Sequence, residues 1–170
     1  MSEANPGELL LEACDTFVKN ISKYNWAMMY ESDLRCAIYA ELIKAMDRRG
    51  MKDYTVRTEH KYGDFQADIA LGDKQELAIE VKYSFTYWRL RLDDFVNAKK
   101  QLGGYLSNGA KDAYLIVLDH QIPPERKPIS DTIDIGAVGL VGEWRAIDAP
   151  EIAEDKFLVA QLSEKPSIES

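Results

Sequence analysis

The stretch FQADIALGDKQELAIEVK, residues 65–82, decides the fold. Its first seven residues alternate, so that Phe65, Ala67, Ile69 and Leu71 share one face of a strand and Gln66, Asp68 and Ala70 the other. Gly72-Asp73-Lys74 is a turn. Residues 76–83 form the next strand, with Leu77, Ile79 and Val81 on one face and Ala78, Glu80 and Lys82 on the other. A turn centred on Lys74 sets Leu71 across from Leu77 and Asp68 across from Glu80, with Cβ atoms ~5 Å apart.

Two carboxylates that close repel and desolvate each other. A hard divalent cation with oxygen ligands relieves this, and Lys82, two residues along the same face, would stand beside it. Ala70 and Ala78 are small and leave room for a ligand. An acid-x-Lys tripeptide is weak by itself: this composition yields a few by chance, and the chain has four, at 59–61, 80–82, 125–127 and 154–156. Only Glu80-Val81-Lys82 lies in an apolar strand.

Working outward, residues 54–60 read as the preceding strand, closed by the turn Tyr62-Gly63-Asp64. Upstream, residues 31–49 carry Leu34, Ile38, Leu42 and Ala45 at helical spacing, with Arg48 and Arg49 at the negative end of the helix dipole and Gly50 as the stop. Residues 8–23 are a shorter helix with Leu10, Ala13, Phe17 and Ile21 on one stripe. Residues 1–7 are a loose arm and 25–30 a connector. Downstream, 93–107 return to helical spacing through Phe95, Ala98, Leu102 and Tyr105. Residues 113–118 (AYLIVL) are a strand buried on both faces. Pro123, Pro124 and Pro128 mark a loop, 137–144 a further strand, 157–162 an edge strand, and the last eight residues a loose tail. The expectation is an α/β (α+β) protein with a mixed central sheet flanked by helices. It is one domain over 1–170, with its core at about 31–120, an N-terminal helix at 8–23 and a C-terminal extension at 121–170.

The chain has 170 residues and a net charge of −8, which argues against indiscriminate binding to nucleic acid. The segment 54–111 is the exception, with nine basic side chains against eight acidic. Cys14, Cys36, His60 and His120 form neither a disulfide framework, a zinc cluster nor a nucleophile arrangement. The N-terminus lacks the basic start and apolar core of a secretory signal, and no run approaches a membrane span. A reduced, cytoplasmic protein with no membrane partner is expected. No phosphate-cradling Gly-rich loop ending in Lys-Ser/Thr is present, so a nucleotide-driven motor is excluded.

With these residues in place, the chain resembles the PD-(D/E)XK nuclease superfamily over about 31–120. The order helix, three-strand meander, helix, strand is that family's restriction-endonuclease-like core. Asp68 followed twelve residues later by Glu80-x-Lys82 is its signature, with Ala67 where the family name has proline. The resemblance implies a Mg²⁺- or Mn²⁺-dependent nuclease acting on nucleic acid, DNA before RNA. Asp68, Glu80 and the Val81 carbonyl would ligate the metal. Lys82 would position or deprotonate the water and stabilise charge on the phosphate. It leaves room for a homodimer or a partner protein. The rival expectation is a catalytically inactive nuclease-fold scaffold working through protein contacts.

Many members add a glutamate from the first core helix, and here Glu31 and Glu41 both qualify. Stepping back ~13 Å along that helix, to match ~13 Å along the following strand, lands on Glu41, with Glu31 as second choice. Gln101 and Tyr105, one helical turn apart, resemble the extra motif of the RecB-like exonuclease branch. Gly103-Gly104 between them costs roughly 2 kcal/mol in a helix, which implies close approach of another backbone or a broken helix. After the Glu-x-Lys strand, residues 83–91 carry Tyr83, Phe85, Tyr87 and Trp88 with Arg89 and Arg91. Together with Lys99 and Lys100 they are candidates for stacking on bases and holding phosphates.

Overall fold

The structure is a computed structural model that describes residues 5–24, 30–85, 89–120, 127–147 and 155–165. Thr86, Tyr87, Trp88, Pro123, Pro124 and most of the 25–30 connector therefore lie outside the described residues.

Chain order builds a mixed sheet. Helices α1 (Pro6–Tyr24) and α2 (Glu31–Arg49) come first, followed by strands β1 (Val56–Tyr62), β2 (Phe65–Leu71) and β3 (Leu77–Ser84). Helix α3 (Leu92–Ser107) then crosses to β4 (Asp112–Asp119). Strands β5 (Leu140–Ile147) and β6 (Asp155–Leu162) complete the six-stranded sheet, in the order β1-β2-β3-β4-β6-β5. Among the described strands only β3 and β4 pair in parallel, and α3 is the helical crossover that joins them.

Two apolar layers hold the sheet. On one face, Leu10, Ala13, Phe17 and Ile21 of α1 and Leu34, Ile38, Leu42 and Ala45 of α2 pack against Ile69, Leu71, Ile79, Val81, Ile116 and Phe157. On the other, Phe95, Ala98, Leu102 and Tyr105 of α3 cover Ala70, Ala78, Leu115, Val117 and Leu158. Each fully buried Leu, Ile or Phe among these contributes about 1.5–3 kcal/mol. AYLIVL is sandwiched as its continuous apolar run requires. Among the described residues no helix is long and apolar enough to cross a membrane.

Several boundaries differ from the sequence reading. α1 opens at Pro6, within the stretch expected as an arm, and the missing N–H of proline costs nothing there. β1 begins at Val56, where Leu71 becomes available as a partner, and continues through Tyr62 to a two-residue turn at Gly63 and Asp64. The strand expected at 137–144 starts at Leu140, because Gly136–Val138 close a 3-10 turn ending on Gly139 at φ 83°. Residues 157–162 are not an edge strand. β6 lies between β4 and β5, pairing antiparallel with both, and β5 is the edge.

Candidate active site

The site begins where the β2–β3 ladder ends. Ile69, Ala70 and Leu71 pair with Ile79, Ala78 and Leu77, so Asp68 is level with Glu80, as a turn centred on Lys74 requires. At that level a side chain replaces the main chain: Asp68 Oδ2 accepts the Val81 N–H at 2.8 Å. Val81, whose carbonyl is the expected ligand, offers its N–H to this pairing.

The faces are not those that simple alternation predicts. Phe65 and Ala67 pack in the α3 layer, while Ile69 and Leu71 pack under α1 and α2. The strand turns over at Asp68. β1 does the same: Val56 belongs to the α1/α2 layer and Tyr62 to the α3 layer. Between them, level with Asp68, Glu59 has φ 55°, a left-handed conformation that rotates the pleat. Asp68 therefore lies in the gap between strands, within reach of α2, rather than squarely on the face of Ala70. Ala70 and Ala78 do not leave room for a ligand either. Both are fully buried, and their small size lets α3 approach.

Six charged side chains and one phenol meet at this gap. Glu80 is 3% exposed; its Oε1 accepts from Lys82 Nζ at 2.6 Å and its Oε2 from the Tyr105 hydroxyl at 2.5 Å. The Tyr105 oxygen also lies 2.9 Å from the Gln66 carbonyl oxygen. Lys82 Nζ is 3.9 Å from Glu31 Oε1 at the start of α2. One turn further, Arg35 Nη1 lies 3.3 Å from Asp68 Oδ1 and 3.5 Å from Glu59 Oε1.

Burial dominates the electrostatics. It raises the pKa of Glu80 above the usual carboxylate value, with Asp68 adding repulsion against the pull of Lys82 and Tyr105. It likewise raises Glu31, against the nearby Lys82. Burial alone would lower Lys82, but Glu80, Glu31 and Asp68 together hold its ammonium above the ordinary lysine value. Tyr105 is raised by burial and by the Glu80 charge, so its hydroxyl stays a donor.

Of the two candidate helix glutamates, Glu31 reaches the gap and Glu41 does not. Glu41 is buried between the helices, where it accepts from Asn20 Nδ2 at 3.2 Å and Lys44 Nζ at 2.9 Å. The distance argument allowed too little chain between helix and site. Six residues separate Arg49 from Val56, and the site is level with Glu59, so the matching turn of α2 is its first.

Gln101 is half-buried on α3 and makes no hydrogen bond to the site among the described residues. The Gly103-Gly104 pair marks neither a break nor a backbone contact. α3 runs through unbroken, and a Cβ on Gly104 would sit 2.5 Å from the Phe65 ring. The four basic candidates are not drawn to the site. Arg89 donates to the Lys127 carbonyl, and the Arg91 N–H donates to Asp94 at 2.6 Å to open α3. Lys99 lies over Gly139, and Lys100 is exposed. Tyr83 and Phe85 stack on each other at 6.0 Å. Cys14 is buried, and burial pushes its thiol up to about 12.

Sequence reasoning missed Arg35 and Glu59. Arg35 was legible as the i+4 neighbour of Glu31, on the same face of α2. Glu59 carried no signal, since its role follows from a backbone conformation. It also missed the pairing of His120 Nδ1 with Asp155 Oδ2 at 2.7 Å, two residues remote in sequence.

By donor type, the carboxylates of Asp68, Glu80 and Glu31 suit a hard divalent cation, and the raised pKa values of two of them are what such an ion would relieve. Arg35 and Lys82 stand among them, and within the described residues no three His, Cys, Asp or Glu side chains are drawn together at metal-holding distance. No family model, curated protein or solved structure matches the chain.

Proposed function

We propose that the chain is a metal-dependent nuclease of the restriction-endonuclease-like fold that hydrolyses phosphodiester bonds of nucleic acid, DNA in preference to RNA. The observation that carries the reading is the gap between β2 and β3. There Asp68 is level with Glu80, and Lys82 Nζ lies 2.6 Å from Glu80 and 3.9 Å from Glu31. The order α2-β1-β2-β3-α3-β4, with an antiparallel meander and a parallel fourth strand, supports it further.

Asp68, Glu80 and Glu31 would hold Mg²⁺ or Mn²⁺, with the Val81 carbonyl as an additional oxygen donor. Bound there, the ion would lower the pKa of a water and neutralise phosphate oxygens. Lys82, kept charged by its carboxylate neighbours, would orient that water and offset charge developing on the phosphate. Tyr105 fixes the Glu80 carboxylate from behind. The test is cleavage of labelled single- and double-stranded DNA and RNA with Mg²⁺ or Mn²⁺ against EDTA. EDTA-sensitive cleavage is expected.

The scaffold reading draws on the net charge of −8 and on a Glu80 whose two oxygens are both bonded internally. It expects no metal-dependent cleavage of any substrate in the same assay.

A further inference from the structure

We propose that Arg35 is a displaceable counter-ion of Asp68, which turns to a backbone phosphate of the nucleic acid once a divalent cation takes its place; this rests on the nuclease reading above.

Three observations carry it. First, Arg35 Nη1 lies 3.3 Å from Asp68 Oδ1, the oxygen of that carboxylate left over after Oδ2 has taken the Val81 N–H. A cation arriving at Asp68 meets this positive charge. Second, the pairing is held from the far side by Glu59, whose carboxylate lies 3.5 Å from the same nitrogen. Glu59 takes the left-handed conformation, at φ 55°, that a non-glycine residue adopts only at a cost, and such strain gathers at working sites. Third, Arg35 spends only one corner of its guanidinium. Its Nε and Nη2 make no hydrogen bond among the described residues, and the side chain is 27% exposed. A free two-nitrogen edge at the mouth of a carboxylate-lined gap matches two oxygens of a phosphodiester.

The geometry also gives the order of events. While Nη1 is held by Asp68 the free edge cannot turn fully to a phosphate, and metal and guanidinium compete for one carboxylate. Filling Asp68 with a divalent cation therefore frees Arg35 for the phosphate, so metal and nucleic acid reinforce each other's binding.

The test uses Ca²⁺ as the probe ion, with calorimetry for its affinity and fluorescence anisotropy for labelled duplex and single-stranded DNA in Ca²⁺ across a salt series. Wild type, Arg35→Ala and Arg35→Lys are compared, with circular dichroism as the check on folding. Arg35→Ala is expected to bind Ca²⁺ about three- to tenfold tighter, having lost a competing charge. It is expected to bind DNA more weakly, with a salt slope shallower by about one. Arg35→Lys, keeping the charge without the fork, is expected to restore the Ca²⁺ affinity of wild type but not its DNA affinity. Ca²⁺ binding that is unchanged or weaker in Arg35→Ala, or DNA binding indifferent to the substitution, overturns the proposal while leaving the metal site standing. A wild type that binds no Ca²⁺ overturns the nuclease reading and this proposal with it.

Discussion

Replacing Tyr105 by phenylalanine removes one oxygen from the interior, and the structure says what that oxygen does. Tyr105 is fully buried, with its hydroxyl 2.5 Å from Glu80 Oε2 and 2.9 Å from the Gln66 carbonyl oxygen. A phenol has a single proton. While Glu80 is charged, that proton belongs to the carboxylate, the stronger acceptor. When Glu80 is protonated, it can donate to the phenol oxygen, and the phenol proton turns to Gln66. A hydrogen bond to a buried charge is worth about 1.5–3 kcal/mol and a neutral one about 0.5–1.5. Tyr105→Phe should therefore cost about 2 kcal/mol at neutral pH. At a urea m-value of about 2 kcal/mol/M, this lowers the unfolding midpoint by about 1 M. The cost should shrink as pH falls. The folded-state pKa of Glu80 is already raised, so protonation on acidification stabilises the fold, and losing the phenol raises that pKa further. Urea titrations from neutral pH to the lowest pH at which the fold persists make the comparison, with a double-mutant cycle to Glu80→Gln isolating the pair. A loss below about 0.5 kcal/mol at neutral pH, or one that grows on acidification, would refute the reasoning.

Lys82→Ala should slow cleavage by on the order of a thousandfold while leaving divalent binding no weaker, since it removes a positive charge from beside two carboxylates; single-turnover rates and Ca²⁺ calorimetry test the two halves separately. Glu31→Gln should weaken Ca²⁺ binding and Glu41→Gln should not, because only Glu31 stands within the gap; equal effects would return the helix carboxylate to open choice. Gly103→Ala should raise stability by about 1 kcal/mol, since a Cβ there meets nothing within 4 Å, whereas Gly104→Ala should cost about 1–3 kcal/mol by driving into the Phe65 ring; thermal melts of the pair decide it.

The hairpin at 71–77 was legible because register follows from turn length and apolar alternation, and Leu71 does pair with Leu77. The helical stripes were legible for the same reason. What alternation cannot carry is a change of backbone handedness. Glu59 at φ 55° turns two strands over together, and nothing about a glutamate announces it. The Glu31 and Glu41 question failed on the path of a connector, which residue spacing along two rigid elements does not contain. Tyr105 was visible as one turn from Gln101, yet its partners, Glu80 and Gln66, come from strands far away in the chain. The strand order at the C-terminal side was missed because sequence shows where strands are but not which of two will sit inside.

That inversion, β6 between β4 and β5, bears on how the chain comes off the ribosome. β5 emerges before β6 but has no seat in the sheet until β6 has docked against β4. Once it has emerged, and until the more than thirty residues between Asp119 and Asp155 have followed it out, the AYLIVL strand keeps one row of backbone donors and acceptors bare. A bare, apolar strand edge is a template for another chain. The nascent protein is thus most vulnerable to mispairing with its neighbours on a polysome in the interval between the emergence of β4 and that of β6, after the proposed catalytic residues have already emerged. Slowing translation in that interval should lower soluble yield without altering any residue of the site.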